Sequence, residues 1–167
     1  YAEFLEGDSA LIHKDYEKAI RCFEELTTHF ASRENYNNAG TAKTLLALQL
    51  KPLERKESED SNFYYPIEVD HDSRLKNNET RSTLDETGAR KMDSLLQSAK
   101  KDFEEAISLD HNYDKAYVNL ACVYDLLKNF DFSTGYSKKI NTKDPEYISA
   151  LEIRAIAYAH QNKIEDA

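Results

Sequence analysis

Ala19, Phe23 and Leu26 stand at i, i+4 and i+7, and the same offsets return at Ala99, Phe103 and Ala106. Those intervals put all three residues on one face of an α-helix. A small residue one turn from a large ring lets a neighbouring helix approach, while the ring fills the space beside it. A weaker third copy runs through Ser133, Ser137 and Ile140, and a fourth opens at Ile164-Glu165-Asp166-Ala167. Each of these helices follows another. Tyr117, Leu120, Ala121 and Tyr124 form an aromatic–x2–Leu–small–x2–Tyr phrase. Ala155 and Tyr158 repeat its last interval with Leu151 in the aromatic's place, and Tyr36 and Gly40 begin an earlier copy. A helix pair recurring about every 34 residues implies a stack, because one pair alone cannot bury its apolar face.

Composition agrees with long helices. The 167 residues include four Gly and three Pro, few breakers for a chain of this length. Asp144-Pro145 is expected to start a helix, with an N-cap acceptor ahead of a Pro in the first helical position. Asp110-His111-Asn112 reads as the break between the second and third pairs, and Asn129-Phe130-Asp131 as the turn inside the third. Gly135 falls within a helix and costs about 1 kcal/mol relative to Ala, so the helix around it is expected to be the loosest. Cys22 and Cys122 form no close-spaced pair and read as small buried thiols.

These phrases resemble tetratricopeptide repeats (TPRs). Leu5-Glu6-Gly7-Asp8 with Asp15-Tyr16-Glu17-Lys18-Ala19-Ile20 resembles a first repeat, and Tyr117 to Pro145 a nearly complete later one. The resemblance covers the chain except a central stretch. Ser137 departs from it where an aromatic is expected, His111 where Pro is usual, and the chain has no Trp. The implied fold is all-α: a right-handed α-α superhelix, or solenoid, of TPR-like helix hairpins. Its expected units are residues 1–34, 35–112, 113–147 and a truncated 148–167. The second unit is too long by roughly 45 residues for the repeat period, which places an insertion at about 51–90.

Within the insertion, Lys51 to Asn62 is charged, whereas Phe63-Tyr64-Tyr65-Pro66-Ile67 is a run of large apolar residues. Such a run does not stay in water unpacked. It either folds back onto the repeats or meets a partner and covers the groove. Phe63, Tyr64 and Tyr65 are its candidate contact residues.

The resemblance also implies a groove lined by the first helix of each unit. Carried over by position, the lining comprises Asp8, Leu11 and Ile12, then Asn37, Asn38, Thr41 and Thr44. The third unit supplies Lys115, Val118, Asn119, Cys122 and Asp125, and the fourth Glu152, Ile153 and Ile156. Asn38, Thr41, Lys115, Asn119, Asp125 and Glu152 are the candidate contacts to a partner. An Asn carboxamide both donates and accepts, so Asn38 and Asn119 suit the backbone of an extended peptide. Some family members grip a C-terminal carboxylate with Lys and Arg. Asn stands at the matching places here, and Asp125 and Glu152 add negative charge, so a neutral or basic protein or peptide is the expected ligand.

Charge narrows the function classes. The chain carries 22 Lys and Arg against 31 Asp and Glu, a net −9, which disfavours nucleic acid and anionic membrane surfaces. No apolar run has the length of a membrane span, and a soluble, cytoplasmic setting is expected. His71 lies among Glu68, Asp70 and Asp72 without a zinc or calcium pattern. His13, His29 and His160 read as helix-end residues. No nucleophile elbow or phosphate loop is present. Neither catalytic residues, metal nor cofactor are expected. The chain reads as a protein-binding scaffold or, alternatively, as a recruiting module of a longer enzyme. Self-association through the truncated last unit is a further expectation.

Overall fold

The structure is a computed structural model that describes residues 2–50, 65–70, 74–75 and 86–161. The apolar periodicity becomes seven helices among these residues: α1 (Ala2–Ile12), α2 (Tyr16–His29), α3 (Arg33–Leu50), α4 (Glu86–Leu109), α5 (Asp114–Leu126), α6 (Phe130–Ser137) and α7 (Tyr147–His160). One short antiparallel ladder joins β1 (Ile67–Glu68) to β2 (Arg74–Leu75), with Ile67 opposite Leu75. Each helix packs on the next in sequence from α1 to α5 and from α5 to α7. In addition α3 touches α5, and α5 touches α7. The result is an all-α solenoid of TPR-like hairpins.

The small-residue positions explain the close packing. Phe23 and Phe103 are both fully buried. A Cβ on Gly40 would lie 2.7 Å from the Phe103 ring, and one on Gly7 would lie 2.9 Å from that of Phe23. The two glycines therefore perform the same task one hairpin apart. Lys43 ties the second hairpin to the first, its ammonium 2.7 Å from Asp102 on α4 and 2.9 Å from Glu24 on α2.

The turns inside the first and third hairpins share a device. Lys14 and Lys128 both have φ 62°, in the left-handed region, one residue before Asp15 and Asn129. Asp15 caps α2, its carboxylate accepting the Lys18 N–H at 3.1 Å. Asn129 caps α6 in position but without a side-chain bond.

Some local expectations are corrected. Asp144 does not cap α7. The helix starts after Glu146, and the Asp144 carboxylate instead accepts the Asn141 N–H at 2.7 Å. The chain makes a further turn through Pro145 before α7, with the Tyr147 N–H on the Asp144 carbonyl. The expected cap is used up on closing the turn before it. Cys22 is only partly buried, whereas Cys122 is buried; both are free thiols. The helix around Gly135, α6, has 8 residues and ends at Ser137. At the solenoid's far end Ile148 and Leu151 stand exposed on α7. Residues 164–167, where the sequence opens a further helix, lie outside the described residues, as do Phe63, Tyr64, His71 and Asp72.

Candidate functional site

The first helices of successive hairpins, α3, α5 and α7, all bond to residues 65–70, the segment that carries β1 (Ile67–Glu68). Helical spacing places Asn37, Asn38 and Thr41 on α3 and Lys115, Asn119 and Asp125 on α5, all within reach of that segment. Asn37, Asn38, Thr41 and Asn119 are each 0% exposed. Buried carboxamides and hydroxyls need partners, and the strand's main chain provides them.

The centre of the site is Asn119. Its carboxamide oxygen accepts the Glu68 N–H at 2.8 Å, and its Nδ2 donates to the Glu68 carbonyl at 2.8 Å. The same carbonyl accepts from the Thr41 hydroxyl at 3.1 Å and from Asn37 Nδ2 at 3.3 Å. Asn119 is itself held by the Asn37 carboxamide oxygen at 2.9 Å. Further along, the Asp70 N–H donates to Asn38 at 3.1 Å, and the Lys115 ammonium donates to the Val69 carbonyl at 3.0 Å. Three successive residues of the strand are thus bound through main-chain atoms.

Side chains are bound as well. Tyr65, Ile67 and Val69 are buried in the cluster that contains Leu11, Val118, Cys122, Ile153 and Ile156. The Tyr65 hydroxyl donates to Asp125 at 2.7 Å, where His160 Nδ1 also arrives at 2.8 Å. The Glu68 carboxylate accepts from the Ser149 hydroxyl on α7. The Asp70 carboxylate accepts from the Tyr113 hydroxyl and from Asn37 Nδ2, with the Lys115 ammonium 3.7 Å away.

Burial dominates the electrostatics. It pushes the Asp70 carboxyl above its ordinary range, while the Tyr113 hydroxyl, Lys115 and Asn37 pull it back. Burial, with the carboxylates they face, also pushes the hydroxyls of Tyr65 and Tyr113 far up, so both remain donors. Four buried side-chain atoms stay unmatched among the described residues, and two of them, Nδ2 of Asn38 and Oδ1 of Asp125, belong to this site. Each such atom costs about 1–3 kcal/mol.

Of the residues singled out in sequence, Asn38, Thr41, Lys115, Asn119, Asp125 and Tyr65 meet around one strand. Glu152 is exposed on α7, and from that helix Ser149 reaches the strand instead. Ile12 is exposed, and the Thr44 hydroxyl turns to its own helix at the Gly40 carbonyl. Tyr113, Ser149 and His160 carry no signal in the sequence for this role. Asn37 is visible there only as part of the lining. Among the described residues no group of three or more His, Cys, Asp or Glu is placed to hold a metal ion. None of their helices is long and apolar enough to cross a membrane.

Fold and site together define a class: an all-α solenoid of TPR-like hairpins whose first helices hold a segment of the chain's own backbone through Asn carboxamides. No family model matches the chain, and no curated protein matches it. Among solved structures it is similar to the crystal structure of MamA protein, at 18% identity over 99% of this chain and 84% of that one, with a TM-score of 0.40. The fold assignment rests on the helices and their pairing rather than on that likeness.

Proposed function

We propose that this chain is a protein-interaction scaffold of the tetratricopeptide kind, whose concave groove holds an extended segment of a protein. The observation that carries this reading is the paired contact of Asn119 with the N–H and the carbonyl of Glu68. A carboxamide that satisfies both main-chain groups of one residue reads an extended backbone whatever its side chains. Asn38, Thr41 and Lys115 extend the same grip, and Asp125 adds a side-chain contact at one end.

Two baits test the reading: the chain as it stands and its Asn119→Ala variant, both checked for helix content by circular dichroism. A protein retained by the first and lost from the second places recognition in the groove. Equal retention on both removes the groove from the reading. No specific capture by either removes the scaffold role for this segment of chain.

A further inference from the structure

We propose that the groove recognises an extended acidic segment of a partner protein with the pattern Tyr-x-Ile-Glu-Val-Asp, and that residues 65–70 are a tethered copy of that ligand. The proposal rests on the reading of the groove as a peptide site and adds the chemistry of its occupant. Every contact described for the strand is made by atoms of these six residues. Apart from the ladder to Arg74 and Leu75, these contacts are made to the helices and their flanking residues and do not require the covalent connection to α3 or α4, so a detached segment of the same chemistry can form them.

The contacts select for side chains as well as for backbone. Ile67 is 0% exposed and leaves no room for a charge. Hydroxyl donors from Ser149 and Tyr113 face the carboxylates of Glu68 and Asp70, and Lys115 stands beside Asp70. A Lys or Arg in the place of Asp70 would set its cation against the Lys115 ammonium. The net negative charge of the chain favours basic ligands at long range, but salt screens that field within about 10 Å. Contact donors in a buried site are screened far less and decide the preference. The expectation of a neutral or basic ligand thus gives way to an acidic one at this site.

The resident strand is also an imperfect ligand. Asn38 Nδ2, beside the Asp70 end, and Asp125 Oδ1, beside the Tyr65 end, are buried without partners among the described residues. A partner strand that places an acceptor near the first and a donor near the second gains contacts the resident lacks. That surplus is what displaces a tethered competitor, whose effective concentration is of order millimolar.

The experiment titrates a fluorescent, end-capped peptide of residues 65–70 against the full chain and against its Ile67→Lys variant, read by anisotropy. A lysine in that fully enclosed position expels the resident strand. The variant should bind the peptide at least about tenfold more tightly than the wild type does, because the competitor is gone. Adding Asn119→Ala should abolish binding. A peptide with lysine in place of both acids should bind at least about tenfold more weakly, as expected for charged contacts of this kind. If the opened variant keeps its helices and binds neither peptide, the peptide-groove reading fails and this proposal with it. If it binds both peptides equally and through Asn119, the groove reading stands and the acidic pattern falls. A wild-type chain that dimerises by exchanging residues 65–70 assigns the site to a second copy and overturns the partner assignment. Should Ile67→Lys unfold, Tyr65→Phe removes only the hydroxyl on Asp125 and takes its place in the titration. Tighter peptide binding than wild type then supports the tethered competitor, and unchanged binding overturns it.

Discussion

At the scale of single residues, the same substitution has opposite signs at two glycines. Gly40 faces the Phe103 ring, so Gly40→Ala forces a shift in a packed interface. Its overpacking cost of about 1–3 kcal/mol outweighs the gain in helix propensity of about 1 kcal/mol. Gly135 faces open space, with nothing within 4 Å of an added Cβ. Gly135→Ala is therefore expected to stabilise by about 1 kcal/mol. Chemical denaturation of both variants checks the pair, and a stabilising Gly40→Ala would refute the packing account. Asp114 supplies a pH signature. Burial, then Asp144, Glu146 and Asp110, push its carboxyl up to about 6. The folded state thus holds this proton more tightly than the unfolded chain does. The associated stability is full below the unfolded value of about 3.9 and is lost as pH rises through about 6. Asp114→Asn should raise Tm at pH 7.5 and change it little at pH 4, and an equal shift at both would exclude the titration.

Between elements, the ion contacts of Lys43 join α2, α3 and α4. The Lys43 and Asp102 side chains are only 6% and 15% exposed, so neither charge is well solvated alone. Lys43→Met leaves Asp102 without its cation and should cost about 3–5 kcal/mol, the usual loss when one partner of a buried pair is removed. Lys43→Met combined with Asp102→Leu should recover most of that loss, because an apolar pair avoids the desolvation of both charges. A double variant no more stable than Lys43→Met would show that the carboxylate was not the source of the cost. The helices themselves were readable in sequence because their signals are local. Ala19 with Phe23 and Ala99 with Phe103 are one turn apart, and each ring marks its own helix. Asp144 does not take the capping role that its place before Pro145 suggests, because its carboxylate bonds backward to Asn141. A cap residue with donors on both sides does not announce which it will satisfy.

Across the whole molecule, the segment from Tyr65 to Asp70, with β1 at its centre, changes how the solenoid holds together. Stacked repeats ordinarily couple only to their neighbours. Here one strand bonds to α3 through Asn38 and Thr41, to α5 through Asn119 and Lys115, and to α7 through Ser149. Ile67→Ala, which empties a fully buried position, should cost about 2–4 kcal/mol. In hydrogen exchange, α3, α5 and α7 should lose protection together. Loss confined to residues 65–70 would show that the strand fills the groove without bracing it.

Sequence by itself determined the helix pairs, their order and the first-helix positions at which Asn38, Thr41, Lys115, Asn119 and Asp125 stand. Those features follow from spacings of three, four and seven residues, which helical geometry converts directly into faces. It also marked Tyr65 as a residue that does not remain in water. Only the tertiary structure decided where that residue goes and what the groove carboxamides bind. Asn119 meets Glu68 across 51 residues of chain, and Ser149 meets the same residue across 81. No periodicity spans such distances. A buried carboxamide requires some main-chain partner, but which strand supplies it is settled only when the helices have stacked and left a space of that shape.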